Sequence, residues 1–350
     1  MTSPIPTLIN RLDDGRPLDL QECRRLLSQP GTSIERQAAA CAQAVFGRNI
    51  YLRGLIEISN VCRNNCYYCG LRQANHGLQR YRLHQEEIVD TCRRGYALGF
   101  RTFVLQGGED PYWRGARLEA LVLLLRHEFP DCALTLSLGE MEFADYQHLF
   151  QAGANRYLLR HETIDPHHYR LLHPAQMDQN HRLQALRNLK AIGFQVGTGI
   201  MVGSPHQTLE HLAADLHFIA QFQPHMVGVG PFIPHHATPF RAMPQGPLAL
   251  TLRFIALCRL VCPRANIPAT TAVATLDPQG RLRAIQAGAN VVMPNLTPPK
   301  QRGLYALYNH KASTGAEAAE GLKALEAQLR SIHYTICWAR GDYSALQQTL

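Results

Sequence analysis

Residues 151–160 read Gln151-Ala152-Gly153-Ala154-Asn155-Arg156-Tyr157-Leu158-Leu159-Arg160, a helix-ending glycine followed by a short polar turn and an apolar run. Glycine just past a helix takes a left-handed backbone without a Cβ penalty, so the chain can turn straight back into a strand. The same punctuation recurs at Ala97-Leu98-Gly99-Phe100, Ala191-Ile192-Gly193-Phe194 and Gln286-Ala287-Gly288-Ala289-Asn290. Working outward from these marks, eight apolar runs are predicted as strands: residues 50–60, 102–107, 133–138, 156–162, 195–202, 225–232, 269–276 and 290–296. Strands that alternate with helices and are apolar on both faces belong to a covered parallel sheet. Eight of them predict an α/β protein with a (β/α)8 TIM-type barrel, with an open doubly wound sheet as the other arrangement that fits the periodicity.

The flanks read differently. Residues 7–46 carry helical periodicity broken at Pro30-Gly31, which predicts an N-terminal helical extension over 1–47. The barrel core is expected over 48–312 and a C-terminal helical appendage over 313–350, where the run from Ser313 to Ile332 is rich in Ala, Glu, Leu and Lys.

The chain has 350 residues, and 46% hydrophobic content is enough for one large core. No apolar run reaches the eighteen or so residues of a membrane span, and the N-terminus lacks a secretory pattern, so a cytoplasmic protein is expected. Thirty-five basic against 27 acidic residues give a net charge of +8. The pairs Arg24-Arg25 and Arg93-Arg94 fall in helical segments and read as solvated faces, so neither a nucleic-acid nor a membrane partner is expected.

Three of the ten cysteines, Cys62, Cys66 and Cys69, follow the first predicted strand in a C-x3-C-x2-C spacing. A loop at the C-terminal end of a barrel strand is where such folds carry out catalysis. Three thiolates on a four-iron cube leave one iron without a protein ligand, open to a cofactor or substrate. A closed zinc site would need a fourth ligand; no second C-x2-C pair follows, and His76 is the one nearby candidate. Cys258 and Cys262 lie one helical turn apart and are expected on a buried helix face. His167-His168 and His235-His236 are expected in loops or at the surface. Arg160 and Glu162, spaced by two, are expected to point into the barrel together, as are Thr135 and Ser137.

The cysteine motif, with Tyr68 just before its last cysteine, resembles the radical S-adenosylmethionine (SAM) superfamily. The stretch from Cys62 to Arg72 is especially similar to the HydE family of iron-only hydrogenase maturases. The likeness continues through residues 80–83, 105–111, 135–140, 160–163 and 292–298, and covers about residues 48–312. Shorter parts are shared with biotin synthase and methylornithine synthase relatives. The resemblance implies a [4Fe-4S] cluster on Cys62, Cys66 and Cys69 that cleaves bound SAM reductively, with the cluster itself as the catalytic element. It implies SAM contacts at Tyr68, Gln106, Gly107, Gly108, Glu109, Glu162 and Arg182. It implies a substrate cavity lined by Thr135, Ser137, Arg160, Met226, Thr270, Thr271, Met293, Tyr305 and Tyr308. The implied substrate is a small cysteine-bearing organometallic precursor, and the implied partners are a ferredoxin or flavodoxin reductant and other hydrogenase maturases. Two departures stand out: Gly107 where serine is commoner, and residues 202–208, which lack the usual Leu-Pro-Gly-Gln form. Only Cys337 lies beyond Cys262, so a second C-terminal cluster is not expected.

Overall fold

The computed structural model describes residues 7–8, 18–29, 32–312 and 317–343. Six parallel strands form a continuous arc: β2 (Gly54–Ser59), β3 (Thr102–Gly107), β4 (Ala133–Ser137), β5 (Arg156–Leu158), β6 (Gln195–Val202) and β7 (Met226–Pro231). Two further staves, around residues 266–268 and β8 (Val291–Val292), close the ring. They do so through single bridges, Met226 to Asn266, Pro268 to Val291 and Asn295 to Leu55, and through a two-residue ladder that joins Tyr51 and Leu52 to Val291 and Val292. Main-chain bonds cross this seam from Val227 N to Asn266 O, from Ala269 N to Val291 O and from Leu55 N to Pro294 O. The result is the expected eight-staved barrel. Gly99, Gly153, Gly193 and Gly288 all adopt left-handed backbone, with φ of 103°, 108°, 109° and 102°.

Four of the expected strands differ by a break or by more than one residue at an end. The run 50–60 breaks at Arg53 into β1 (Asn49–Leu52), which pairs with β8, and β2, which pairs with β3. The run 156–162 stops at Leu158; its ladder to β6 lapses and resumes only at Glu162 N, which donates to Gly199 O. The run 290–296 shrinks to two residues because Pro294 has no N–H to give. The expected seventh strand, 269–276, is wrong: Thr271–Leu276 is a helix. The true stave ends at Pro268, which cannot extend a ladder, and packing overrides the β-branched threonines and valine beyond it.

On the outside, helices Leu20–Leu27 and Ser33–Phe46 pack on the barrel helices Leu209–Phe222 and Leu248–Val261, burying Cys23, Leu26, Ile34 and Ala38. Arg24 and Arg93 are exposed on helices and pair with Glu210 and with Asp90 and Glu128, as solvated faces do. The C-terminal helix begins at Leu322, later than the sequence predicts, after a 3-10 turn at Ala319–Gly321; residues 313–316 lie outside the described residues. A strand follows it, β9 (Thr335–Cys337), parallel to β1. The chain then crosses the floor of the barrel. There Arg156 donates to Asp342 Oδ1 (2.6 Å) and Arg340 O (2.9 Å), and Asn266 Nδ2 donates to Gly341 O (3.1 Å). Among the described residues no helix is long and apolar enough to cross a membrane.

Candidate active site

The site lies at the mouth, where the strands end. The loop after β2 leaves at Ser59 and returns at Arg82, which bridge each other, and it carries Cys62, Cys66 and Cys69, all half-buried. Gly108 makes this placement possible. A Cβ there would lie 2.2 Å from Val61 O and 2.7 Å from Cys62 Cβ, so the loop rests directly on the backbone at the end of β3. At Gly107 a Cβ would meet Leu138 Cδ2 at 3.1 Å, so a serine there requires Leu138 to yield.

Burial raises all three thiol pKa values, that of Cys69 to about 12, with the charges of Cys69 and Cys62 adding at Cys66 and that of Cys62 adding at Cys69. Main-chain N–H groups of Asn64 and Glu109 at Cys62, and of Leu71 at Cys69, work the other way. Three thiols on one loop are soft donors that iron favours once they are deprotonated, so the chemistry of the donor set fits a cluster. His76 is exposed. Among the described residues no three His, Cys, Asp or Glu side chains, the three thiols included, converge on a single metal ion.

Around the loop the expected cofactor side chains are held by partners. Tyr68 Oη donates to His173 Nε2 (3.2 Å), whose Nδ1 donates to Tyr169 O (3.0 Å). Burial, and after it the nearby Arg182 charge, lowers the His173 pKa to about 3, so the ring is neutral and its Nε2 is an acceptor. Glu109 accepts from Glu140 N (3.0 Å) and Arg63 Nε (3.2 Å). Arg182 is buried; its Nε contacts Glu140 Oε1 and its Nη1 donates to Arg160 O (2.9 Å). Burial opposes its charge, but Glu140 and neighbouring groups outweigh that and raise its pKa well above the usual value. Glu162 has φ 66°, a left-handed backbone that favours glycine, and sits 3.1 Å from Arg160 Nη2. Even so, Arg160 Nε and Nη2 and Glu162 Oε2 are buried without a hydrogen-bond partner. They lie beyond the end of β5, not on one strand face.

Thr135 Oγ1, on β4, is likewise buried and unsatisfied, and Ser137 is half-buried two residues on. Gln106 Nε2 donates to Tyr305 Oη (3.2 Å). Thr270 precedes the short helix Thr271–Leu276 and donates to Val229 O (3.3 Å), while Thr271, Met293 and Tyr308 are half-buried. Met226 is at the other end, the first residue of β7, with Arg53 Nη1 2.9 Å from its Sδ.

Sequence reasoning missed several of these groups. Arg53 is fully buried with Nε and Nη2 unpaired, and a lone arginine inside an apolar strand was its only signal. Glu140, within the motif at 135–140, anchors Arg182, and His173 anchors Tyr68. The histidine pairs are split, not superficial. His168 is buried against Pro205 O (3.0 Å) and His235 is buried with its ring stacked on His236. Cys258 and Cys262 are buried, as expected. The loop 202–208 fastens itself through Gln207, which accepts from Gly203 N and donates to Met201 O.

Comparison with known proteins gives this geometry its family. The radical SAM superfamily model matches residues 56–219, the stretch that carries the cysteine loop. The [FeFe] hydrogenase maturase subunit HydE of Thermotoga maritima is 47% identical over 265 residues, 76% of this chain and 75% of that one. This chain belongs to the HydE family of radical SAM enzymes. The 3-methylornithine synthase of Methanosarcina barkeri is a more distant relative of the HydE-family chain, 31% identical over 84% of each. The crystal structure of methylornithine synthase superposes with a TM-score of 0.82 at 27% identity, covering 98% of this chain and all of that one. The maturase HydG, at 18% identity and a TM-score of 0.80, shares the fold. A HydE-family enzyme implies a [4Fe-4S] cluster and SAM, and the thiol loop at the barrel mouth is where this chain offers ligands for them.

Proposed function

We propose that this enzyme cleaves SAM and directs the resulting radical at a small, cysteine-bearing iron carbonyl cyanide precursor of the [FeFe]-hydrogenase active-site cluster. The observation that carries this reading is a set of buried polar atoms without a hydrogen bond at the barrel mouth: Thr135 Oγ1, Arg160 Nε and Nη2, and Glu162 Oε2, of which the last two meet only each other, as an ion pair at 3.1 Å. Buried polar groups without partners cost several kcal/mol unless a ligand completes them. An amino-acid carboxylate suits Arg160, and a ribose hydroxyl suits Glu162.

When bound, the cluster supplies the one electron that splits SAM into methionine and a 5′-deoxyadenosyl radical. The chain's own residues do the rest. Gly107 and Gly108 let the backbone approach, and Tyr68, fixed by His173, presents an aromatic face. Arg182 presents a permanent charge toward the SAM carboxylate. Glu109 keeps its bond to Glu140 N, while the exposed Arg63 gives way to the SAM ammonium. Thr135, Ser137, Thr270, Thr271, Met293, Tyr305 and Tyr308 shape the substrate end, with Met226 at its floor, and keep water from the radical. A ferredoxin or flavodoxin delivers the electron, and other maturases supply or receive the organometallic fragment in the cytoplasm.

The test is anaerobic reconstitution, reduction and assay of 5′-deoxyadenosine with the iron carbonyl cyanide cysteine complex or with lysine. Stimulation by the complex alone is the expected result. Stimulation by lysine alone would replace this reading with a methylornithine synthase type of reaction, and no cleavage by a fully loaded enzyme would overturn both.

A further inference from the structure

Arg80 lies at the return of the cysteine loop, and its guanidinium donates to four main-chain oxygens of that loop. Nη1 donates to Asn60 O (2.6 Å) and Leu71 O (2.8 Å), and Nη2 donates to Arg72 O (2.7 Å) and Asn75 O (3.3 Å). Asn60 stands two residues before Cys62, and Leu71 two residues after Cys69. One planar guanidinium thus ties the outgoing limb of the loop to the returning limb, immediately outside the first and last thiols. Asn60 locks the same junction: its Nδ2 donates to Gln79 O and Leu304 O, and its Oδ1 accepts from Tyr81 N (2.7 Å). Among the described residues no carboxylate pairs with Arg80, and the groups that its charge meets are Cys62 and Cys69. Its neighbour Arg82, by contrast, is neutralised by a two-point bond to Asp110.

We propose that Arg80 is a positioning residue of the iron–sulfur site, setting the separation of Cys62 and Cys69 and holding an unneutralised positive charge against the cluster they carry. The proposal rests on the reading of Cys62, Cys66 and Cys69 as cluster ligands. Two physical properties follow from it. Lysine has one ammonium and cannot span four carbonyls in the plane of a guanidinium, so the geometric role belongs to arginine alone. A fixed cation beside a cluster favours the form with the added electron, so removing it drives the reduction potential more negative.

The test uses full-length protein reconstituted anaerobically: wild type, Arg80→Lys, Arg80→Gln and, as a control, Cys66→Ala. Iron content, the rate of iron release to a chelator, and the midpoint potential by redox titration are measured, with circular dichroism to confirm folding. Both Arg80 variants should release iron about tenfold faster than wild type, the scale of losing a group that orients metal ligands. Only Arg80→Gln should shift the midpoint to more negative potential, since Arg80→Lys keeps the charge. Equal midpoints in the two variants overturn the electrostatic role, and wild-type release rates in both overturn the positioning role. A wild type without iron, or a Cys66→Ala protein with the full amount, overturns the reading of the loop itself.

Discussion

At the floor of the barrel Arg156 is fully buried and engaged by Asp342 Oδ1, Arg340 O and Thr102 Oγ1, with only its Nε lacking a hydrogen bond, whereas four residues later, at the mouth, Arg160 has an ion pair with Glu162 at 3.1 Å and no hydrogen bond from Nε or Nη2. Both arginines flank β5, so composition does not separate them. The difference is what faces them. The C-terminal segment folds under the barrel to supply the first with hydrogen bonds, and the second meets only the carboxylate of Glu162. The end poorer in hydrogen bonds is the end where a ligand has donors and an acceptor left to meet.

The most severe way to break this contrast is to remove the thiols. Cys62→Ala, Cys66→Ala and Cys69→Ala are each expected to abolish iron binding and SAM cleavage, while Cys258→Ala and Cys337→Ala retain wild-type iron; iron loss in the latter pair would refute a single-cluster protein. Next comes the floor. Asp342→Ala leaves Arg156 buried beside no carboxylate and is expected to cost about 3 kcal/mol of stability in urea unfolding, with iron content unchanged. A fall in iron at unchanged stability would erase the division between the two ends. At the mouth, Gly108→Ala pushes a methyl into Val61 O and Cys62, and should cost about 2 kcal/mol together with slower cluster assembly, seen by visible absorbance.

The smallest effect concerns pH. Because the His173 pKa is depressed from its ordinary value of 6.5 to about 3, the unfolded chain binds the extra proton between those values. Stability from this group is therefore complete above about pH 6.5 and declines as pH falls toward 3. His173→Gln should lose about 1 kcal/mol at pH 7, where the bond to Tyr68 is gone, and flatten that decline. Parallel pH curves for the two proteins would show that the ring is not held neutral by its burial.

The parts of this molecule legible in the sequence were those written in local punctuation. The glycines at 99, 153, 193 and 288 marked strand entries because a left-handed residue is a local requirement, and the cysteine spacing marked the loop for the same reason. The strand at 269–276 was misread because its threonines and valine favour strands locally, while the decision was made by Pro268 and by contacts distant in sequence. Arg53, Glu140, His173 and Arg80 were silent for a related cause: each acts through a partner brought close only by folding, and no spacing announces such a pair. The role of Glu162 was read from its neighbours, yet its left-handed backbone was not, since nothing in the side chain encodes it.

The barrel's closure has a bearing on how such an enzyme changes its chemistry over time. Gln106, Gly107, Gly108, Glu109 and Glu162, proposed for SAM, stand on or beside the unbroken arc together with Thr135, Ser137 and Arg160, whereas the rest of the proposed substrate end, Thr270, Thr271, Met293, Tyr305 and Tyr308, stands at or after the seam, where single bridges and one two-residue ladder replace longer ones. Substitutions along the seam disturb few main-chain bonds, and those along the arc disturb many. A lineage can therefore rewrite part of what meets the substrate while leaving the arc intact, and a relative 31% identical to this chain bears the name of a different enzyme, 3-methylornithine synthase.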